Sequence, residues 1–432
     1  MYYMDLGATV GVARVTALRQ SARSTFGGLP AAFWWVWLGT LVNRMGSFIL
    51  PFLAFYITGP LHRSAALAGL VAALFGFGSC VSGVIGGILT DRIGRKPTMI
   101  GSLLANAAAI AGLAYAHTPV TLGFGALIVG LVANAYRPAV SAMIADVVPD
   151  EDRVRAYSLN FWAINLGYSV SMTLMGFVVA FGYKALFFGD AASTVLCAVL
   201  IAVFVRDTTP TAVIKAAAVD NPGAGMRTVL RDRTYVAFVA TTLAVLVVYG
   251  QCNAAMPMAM AKAGISTADY GRIGAINGIL IVLLQLPLTR WFKRYPQARV
   301  LAVSSTVIGL GYAAILFGDG LGVFALSTVI WTLGEIGNTP TSSSIVARMA
   351  PADLRGRYQG LYQLAWSGSA VLGPLVGGTL FTEFGGTPVW IGCLALAGAA
   401  GLMQLRIGSR VERGIAAAVR ANEQQAADLV AA

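Results

Sequence analysis

Charged side chains are scarce in this chain: Asp, Glu, Lys and Arg make up 11% of its 432 residues, against about 25% in soluble domains. Histidine is scarcer still. Only His62 and His117 occur, so no His-based metal cluster or Ser-His-Asp triad can be assembled. The four cysteines, Cys80, Cys197, Cys252 and Cys393, show no paired spacing and all fall in apolar runs. They read as small buried hydrophobes rather than disulfides or ligands. No Gly-x-x-x-x-Gly-Lys-Ser/Thr loop occurs, which excludes a Walker-type ATPase, so any active work must draw on an ion gradient. Gly76 and Gly78 form a Gly-x-Gly inside an apolar run, a helix-packing pattern. The first 32 residues lack a compact apolar core with a cleavage site, and no cleavable signal is expected. These absences leave no catalytic residue, metal or cofactor to assign, and an enzyme is not expected.

What is abundant is apolar sequence, 57% of the chain. A membrane span takes about 20 residues, because about 30 Å of hydrocarbon must be crossed at about 1.5 Å per residue. Twelve such runs can be drawn, at 33–58, 65–90, 98–116, 120–148, 154–181, 184–205, 235–262, 268–291, 298–317, 321–349, 354–384 and 388–406. The expected fold is all-α, with twelve transmembrane helices in two six-helix bundles. A lead-in covers 1–32, the first bundle 33–206, a polar linker 207–234, the second bundle 235–406 and a tail 407–432. The linker carries Asn221, Pro222 and Gly223, a turn signal. In the tail Ile407, Val411, Ile415 and Val419 recur every fourth residue, a one-face stripe expected to form a surface helix.

The net charge of +12 could suggest nucleic acid, but the placement of the basic residues explains it otherwise. Arg63, Lys184, Lys262 and Arg272 fall on one side of the threaded runs, and Arg44 and Arg137 lie within runs. The rest of the 30 Lys and Arg gather on the other side, which by the positive-inside bias is the cytoplasm. Both termini and the linker are therefore expected to be cytoplasmic in a multi-pass protein of the cell membrane. Lipid is an expected neighbour, nucleic acid is not, and a monomer is expected.

Between the second and third runs the chain reads Gly87-Ile-Leu-Thr-Asp91-Arg92-Ile-Gly94-Arg95-Lys96. The order of glycines, aspartate and bases resembles the signature loop of the major facilitator superfamily. An internal repeat agrees: Pro138, Pro149, Arg153, Arg155 and Leu159 recur at a constant offset as Pro340, Pro351, Arg355, Arg357 and Leu361. A decayed copy of the loop remains as Arg290, Lys293 and Arg294, with Thr289 where the aspartate would stand. The resemblance covers roughly residues 33–406 and implies a twelve-helix transporter that exposes a central cavity to each side in turn. It also implies that the second and eleventh helices face each other, with Asp91 beside the N-terminal end of the eleventh. An acid at Asp146 usually joins the basic loop in such proteins, and a latch to Arg95 is expected.

Charges within spans are costly and are functional candidates by default. Glu335, near the middle of the tenth run, is the leading candidate for proton coupling, ahead of Asp190 and Asp146. It has no fixed partner in view. Asp190 is expected near the outer interface. Arg44 and Arg137 are intramembrane bases, either of which could snorkel to an interface. Candidate cavity residues are Asn43, Trp162, Asn165, Tyr168, Gln251, Asn253, Asn277, Tyr362, Gln363 and Trp366, an aromatic and amide surface suited to amphipathic solutes. No arginine pair that would clamp a phosphate or dicarboxylate is evident. The fourth-helix arginine of proton-coupled members is absent, and a Gly-Pro-x-x-x-Gly segment is missing from the fifth run, while Gly373, Pro374 and Gly378 carry a similar one on the eleventh. The expected function is a secondary transporter exporting lipophilic or cationic small molecules against proton entry. The alternatives are a proton symporter or facilitator importing a small metabolite, and a receptor or scaffold without transport.

Overall fold

The computed structural model of the protein describes residues 27–47, 53, 56–57, 60–179, 181–208, 225–265, 267–351 and 354–431. Most of the linker and the lead-in therefore lie outside the described residues. The long elements are all helices: α1 Ala31–Met45, α2 Ala65–Ile93, α3 Arg95–Leu113, α4 Pro119–Ala133, α5 Tyr136–Val147, α6 Arg153–Val179, α7 Tyr183–Phe204, the short α8 Met226–Arg231, α9 Arg233–Tyr249, α10 Ala255–Lys262, α11 Thr267–Phe292, α12 Gln297–Ala313, α13 Leu321–Met349, α14 Arg355–Phe384 and α15 Gly386–Ala431. Among the described residues, nine helical stretches are long and apolar enough to cross a membrane. The helices of the first, third and fifth runs are not among them. α3 opens on Arg95 and Lys96, and α6 carries Ser158, Asn160, Asn165 and Ser169, polar groups that lower hydropathy.

Local signals set the boundaries. Ser64 accepts a hydrogen bond from Leu67 N to start α2, and Gly94, at φ 102°, makes the sharp corner into α3 that a side chain would resist. Thr118 and Thr121 close a capping box ahead of α4, with Pro119 at its first position. Two expected continuous spans are instead interrupted. The fourth breaks between α4 and α5 at Asn134 and Ala135, four residues ahead of Pro138, whose ring crowds the preceding turn and which lacks an N–H. The seventh passes from α9 through a 3₁₀ turn, Gly250–Asn253, into α10. The tail also departs from expectation. α15 runs on without a break, and Ile407, Val411 and Ile415 are buried in the second bundle against Val229, Tyr235 and Met349. Packing against the bundle gives the stripe a better partner than a membrane surface.

In the first half α1 packs on α6 and α7, α2 on α4, and α3 on α7; in the second α12 packs on α13 and α15, α9 on α14 and α15, and α11 on α13. The halves meet through α2 with α14, α5 with α14, and α6 with α11 and α13. Large apolar side chains such as Leu104, Val203, Val303 and Leu402 stay exposed on the outer faces, as lipid-facing helices require.

Candidate functional site

Between the halves lies a cavity of about 360 Å³ whose walls come from α1, α5, α6, α9, α13 and α14. Glu335 enters it from the middle of α13 and is 2% exposed. Contrary to expectation its carboxylate has a fixed partner, and that partner is neutral. Asn277 on α11 donates to Oε2 at 2.8 Å, and the Tyr249 phenol at the end of α9 lies beside it in the same cavity. Asn277 is itself held by Thr332 at 3.0 Å. Among the described residues no cation lies within ion-pair distance of Glu335.

The facing wall is basic. Arg44 from α1 and Arg137 from α5 line this cavity and a second of about 630 Å³ that adjoins it through Gln363 and Trp366. Both lie at Tyr136: its hydroxyl takes a 2.7 Å bond from Arg44 Nη2, and Arg137 is close enough to interact electrostatically with Tyr136 and Arg44. The two arginines thus stand together where the sequence made no pair obvious: the break after α4 turns Tyr136 and Arg137 inward, an arrangement that sequence distance hides. Asp190, expected near an interface, is 6% exposed on α7 and lines the second cavity with both arginines.

A separate cluster of charges joins the halves at the end of the bundle that carries the signature loop. Asp91 accepts from the backbone N–H groups of Gly356 at 2.7 Å and Arg357 at 2.9 Å, and from Arg357 Nη1 at 3.3 Å. These are the first N–H groups of α14, where a helix favours an anion. Asp146 bonds Arg95 Nε at 3.0 Å and also Arg355 of the other half. Further cross-half pairs are Asp150 with Arg348 and Asp152 with Lys293. Backbones touch here: a Cβ on Gly87 or Gly356 would collide with the other's carbonyl oxygen. Lys96 reaches the Ala202 carbonyl at 2.7 Å, whereas Arg92 is exposed.

Of the remaining candidates, Asn165, Tyr168, Tyr362, Gln363 and Trp366 line the central cavity, and Asn43 lines the second. Trp162 stands outside both and ties the halves by donating to the Val282 carbonyl at 3.0 Å. Gln251 is buried and bonds the Gly373 carbonyl, and Asn253 bonds Cys252 Sγ. Cys80 and Cys252 are half-buried rather than fully buried. Sequence reasoning missed Tyr136 and Tyr249. The signal available for Tyr136 was its place beside Arg137 and Pro138; nothing local marks Tyr249.

Comparison with known proteins follows the same division of the chain. A family model described as Major Facilitator Superfamily matches residues 36–252 and again 238–428. The transporter YqjV of Bacillus subtilis is 27% identical over 83% of this chain and 88% of its own length. A Na(+), Li(+), K(+)/H(+) antiporter of Planococcus maritimus is 24% identical over 81% of this chain and 89% of its own. The multidrug resistance protein MdtH of Salmonella is 26% identical over 78% and 83%. Among solved structures, the human organic anion transporter MFSD10 superposes with a TM-score of 0.71 at 15% identity, covering 87% of this chain and 100% of that one. The proton:xylose symporter XylE does so at 0.68 and 14%, covering 86% and 94%. The shared fold is the expected one, twelve helices in two bundles.

Proposed function

Because this chain belongs to the major facilitator superfamily and is a transporter rather than an enzyme, we propose that it is a proton-coupled exporter of lipophilic or cationic small molecules working by alternating access. The observation that carries this reading is the environment of Glu335. At the loop end the buried carboxylates Asp91 and Asp146 face cations, and Asp190 shares the second cavity with two arginines, whereas Glu335 lies in the central cavity against the Asn277 amide and the Tyr249 phenol. A carboxyl group with neutral donors in a dry site holds a proton and releases it when water or a cation reaches it. Substrate and proton then compete for one group, which links the exit of one to the entry of the other. The loop-end contacts hold the halves together on one face, and their release is the other half of the cycle. That face is assigned to the cytoplasm, so cysteines at Arg63 and Asp319 label from outside and one at Arg420 only after permeabilisation.

Glu335→Gln in reconstituted vesicles tests the assignment. It keeps the shape and the hydrogen-bonding reach of the side chain while removing the titrating group. Gradient-driven transport is expected to fall at least about tenfold, the equivalent of about 1.4 kcal/mol, with substrate binding weakened but still measurable and no longer dependent on pH. Undiminished gradient-driven transport in this variant would transfer coupling to Asp190 or exclude it.

A further inference from the structure

Resting on the reading of the central cavity as the substrate site, we propose that its solutes are amphoteric: Arg44 and Arg137 hold a carboxylate or equivalent anionic group of the solute, while its cationic end lies toward Glu335. The argument begins with Tyr136. Its hydroxyl gives its single proton to Asn43 Oδ1 at 3.2 Å, so towards the arginines the oxygen acts only as an acceptor; it receives Arg44 Nη2, and Arg137 lies close enough to interact electrostatically with Tyr136 and Arg44. A phenol oxygen accommodates about two such bonds, whereas each guanidinium brings five N–H donors. The donors are in surplus: Arg44 Nε is buried with no hydrogen-bond partner. Among the described residues neither guanidinium comes within ion-pair distance of a carboxylate. Asp190 shares the second cavity with them and offsets part of the charge, but two positive groups still crowd one hydroxyl in a poorly solvated site, where like charges repel strongly.

An anionic oxygen pair placed against that surplus would relieve both the repulsion and the unused donors, and planar carboxylates match guanidinium forks. Glu335 supplies the opposite charge in the same cavity. Between the poles the wall is Tyr168, Tyr362 and Trp366, which fits an aromatic or lipophilic middle. A brace between α1 and α5 would account for one arginine on Tyr136; it gives no reason for a second guanidinium beside the first, nor for both to open onto the cavity.

The test uses an acid and its ester. Rhodamine B and its ethyl ester share a xanthene cation and differ by a free carboxylate, and binding of each to the full chain in nanodiscs is read by fluorescence anisotropy, with empty nanodiscs subtracted. The acid is expected to bind about tenfold or more tighter than the ester. Arg137→Gln and Arg44→Gln should bring that ratio close to one by weakening the acid, Arg137→Lys should keep part of it, and Glu335→Gln should weaken both dyes while leaving the ratio intact. If Arg44→Gln fails to fold, the two Arg137 variants decide. Equal or tighter binding of the ester, a ratio that survives in the arginine variants, or binding of neither dye overturns the proposal. Dye flux under an imposed pH gradient reads the transport proposal separately. Acid preference without gradient-driven flux sinks proton-coupled export alone, and flux without acid preference sinks this inference alone.

Discussion

The two seams between the halves, α2 against α14 and α6 against α11, occupy corresponding places in the internal repeat and are fastened by different chemistry. At the first, glycines bring backbones together and Asp91 sits on the open N–H groups of α14. At the second, the residue corresponding to Asp91 is Thr289, which bonds Ser158 Oγ at 2.9 Å, and the backbones are held by Trp162 reaching the Val282 carbonyl. One seam thus depends on a buried charge seated on the other half's backbone, and the other mainly on neutral hydrogen bonds, with the half-exposed Asp152–Lys293 pair at its end. Charge-assisted bonds contribute about 1.5–3 kcal/mol each, neutral ones about 1. The first seam is therefore suited to act as the conformational latch and the second as the hinge about which it opens.

The sharpest way to break this contrast is to prevent the close approach itself. Gly356→Val places side-chain atoms into the Gly87 carbonyl and beside Asp91, so transport should fall below about 1% of the parent, and cysteines paired across α2 and α14 should no longer cross-link at the loop end. Overpacking of this kind costs about 1–3 kcal/mol, so expression in the membrane should persist; unchanged cross-linking would mean that the seam is not a tight contact. Next in size is Asp91→Asn, which keeps the volume and removes the charge. A shift of about 1–2 kcal/mol toward the loop-end-open state, about 5- to 30-fold in population, should appear as greater labelling of a cysteine at Arg357 and a comparable loss of transport. Equal labelling with normal transport would reduce the loop to a topological signal. The smallest effect is expected at Thr289→Val: loss of a neutral bond to Ser158, with transport within about threefold of the parent. A loss as large as that of Asp91→Asn would show the two seams to be equivalent and remove the distinction between latch and hinge.

The outline of the Glu335 site could be read before folding, because a carboxylate in the middle of an apolar run is costly enough to need a reason. Its partners could not. Asn277 and Tyr249 lie on other helices, and nothing in their own neighbourhoods distinguishes them from packing residues. The same holds for Gln251, a polar side chain in a span that serves the Gly373 carbonyl rather than the cavity. Polar groups within a bundle must find partners, and only the packing of helices decides whether those are a substrate, a backbone or a neighbour.

By itself the sequence determined what depends on composition and order along the chain. Twelve apolar runs, the loop from Gly87 to Lys96, the repeat and the one-sided basic charge follow from the length needed to cross a bilayer and the cost of moving charge into it. Tertiary structure decided what depends on distance between helices: that Arg44 and Arg137 meet at Tyr136, that Glu335 is held by a neutral group, and that the tail packs as part of the second bundle. The physical reason is one of range. Hydropathy and capping act over a few neighbouring residues, whereas hydrogen bonds and ion pairs act over about 3–4 Å of space, and in a helical bundle most side chains within that reach come from other parts of the chain.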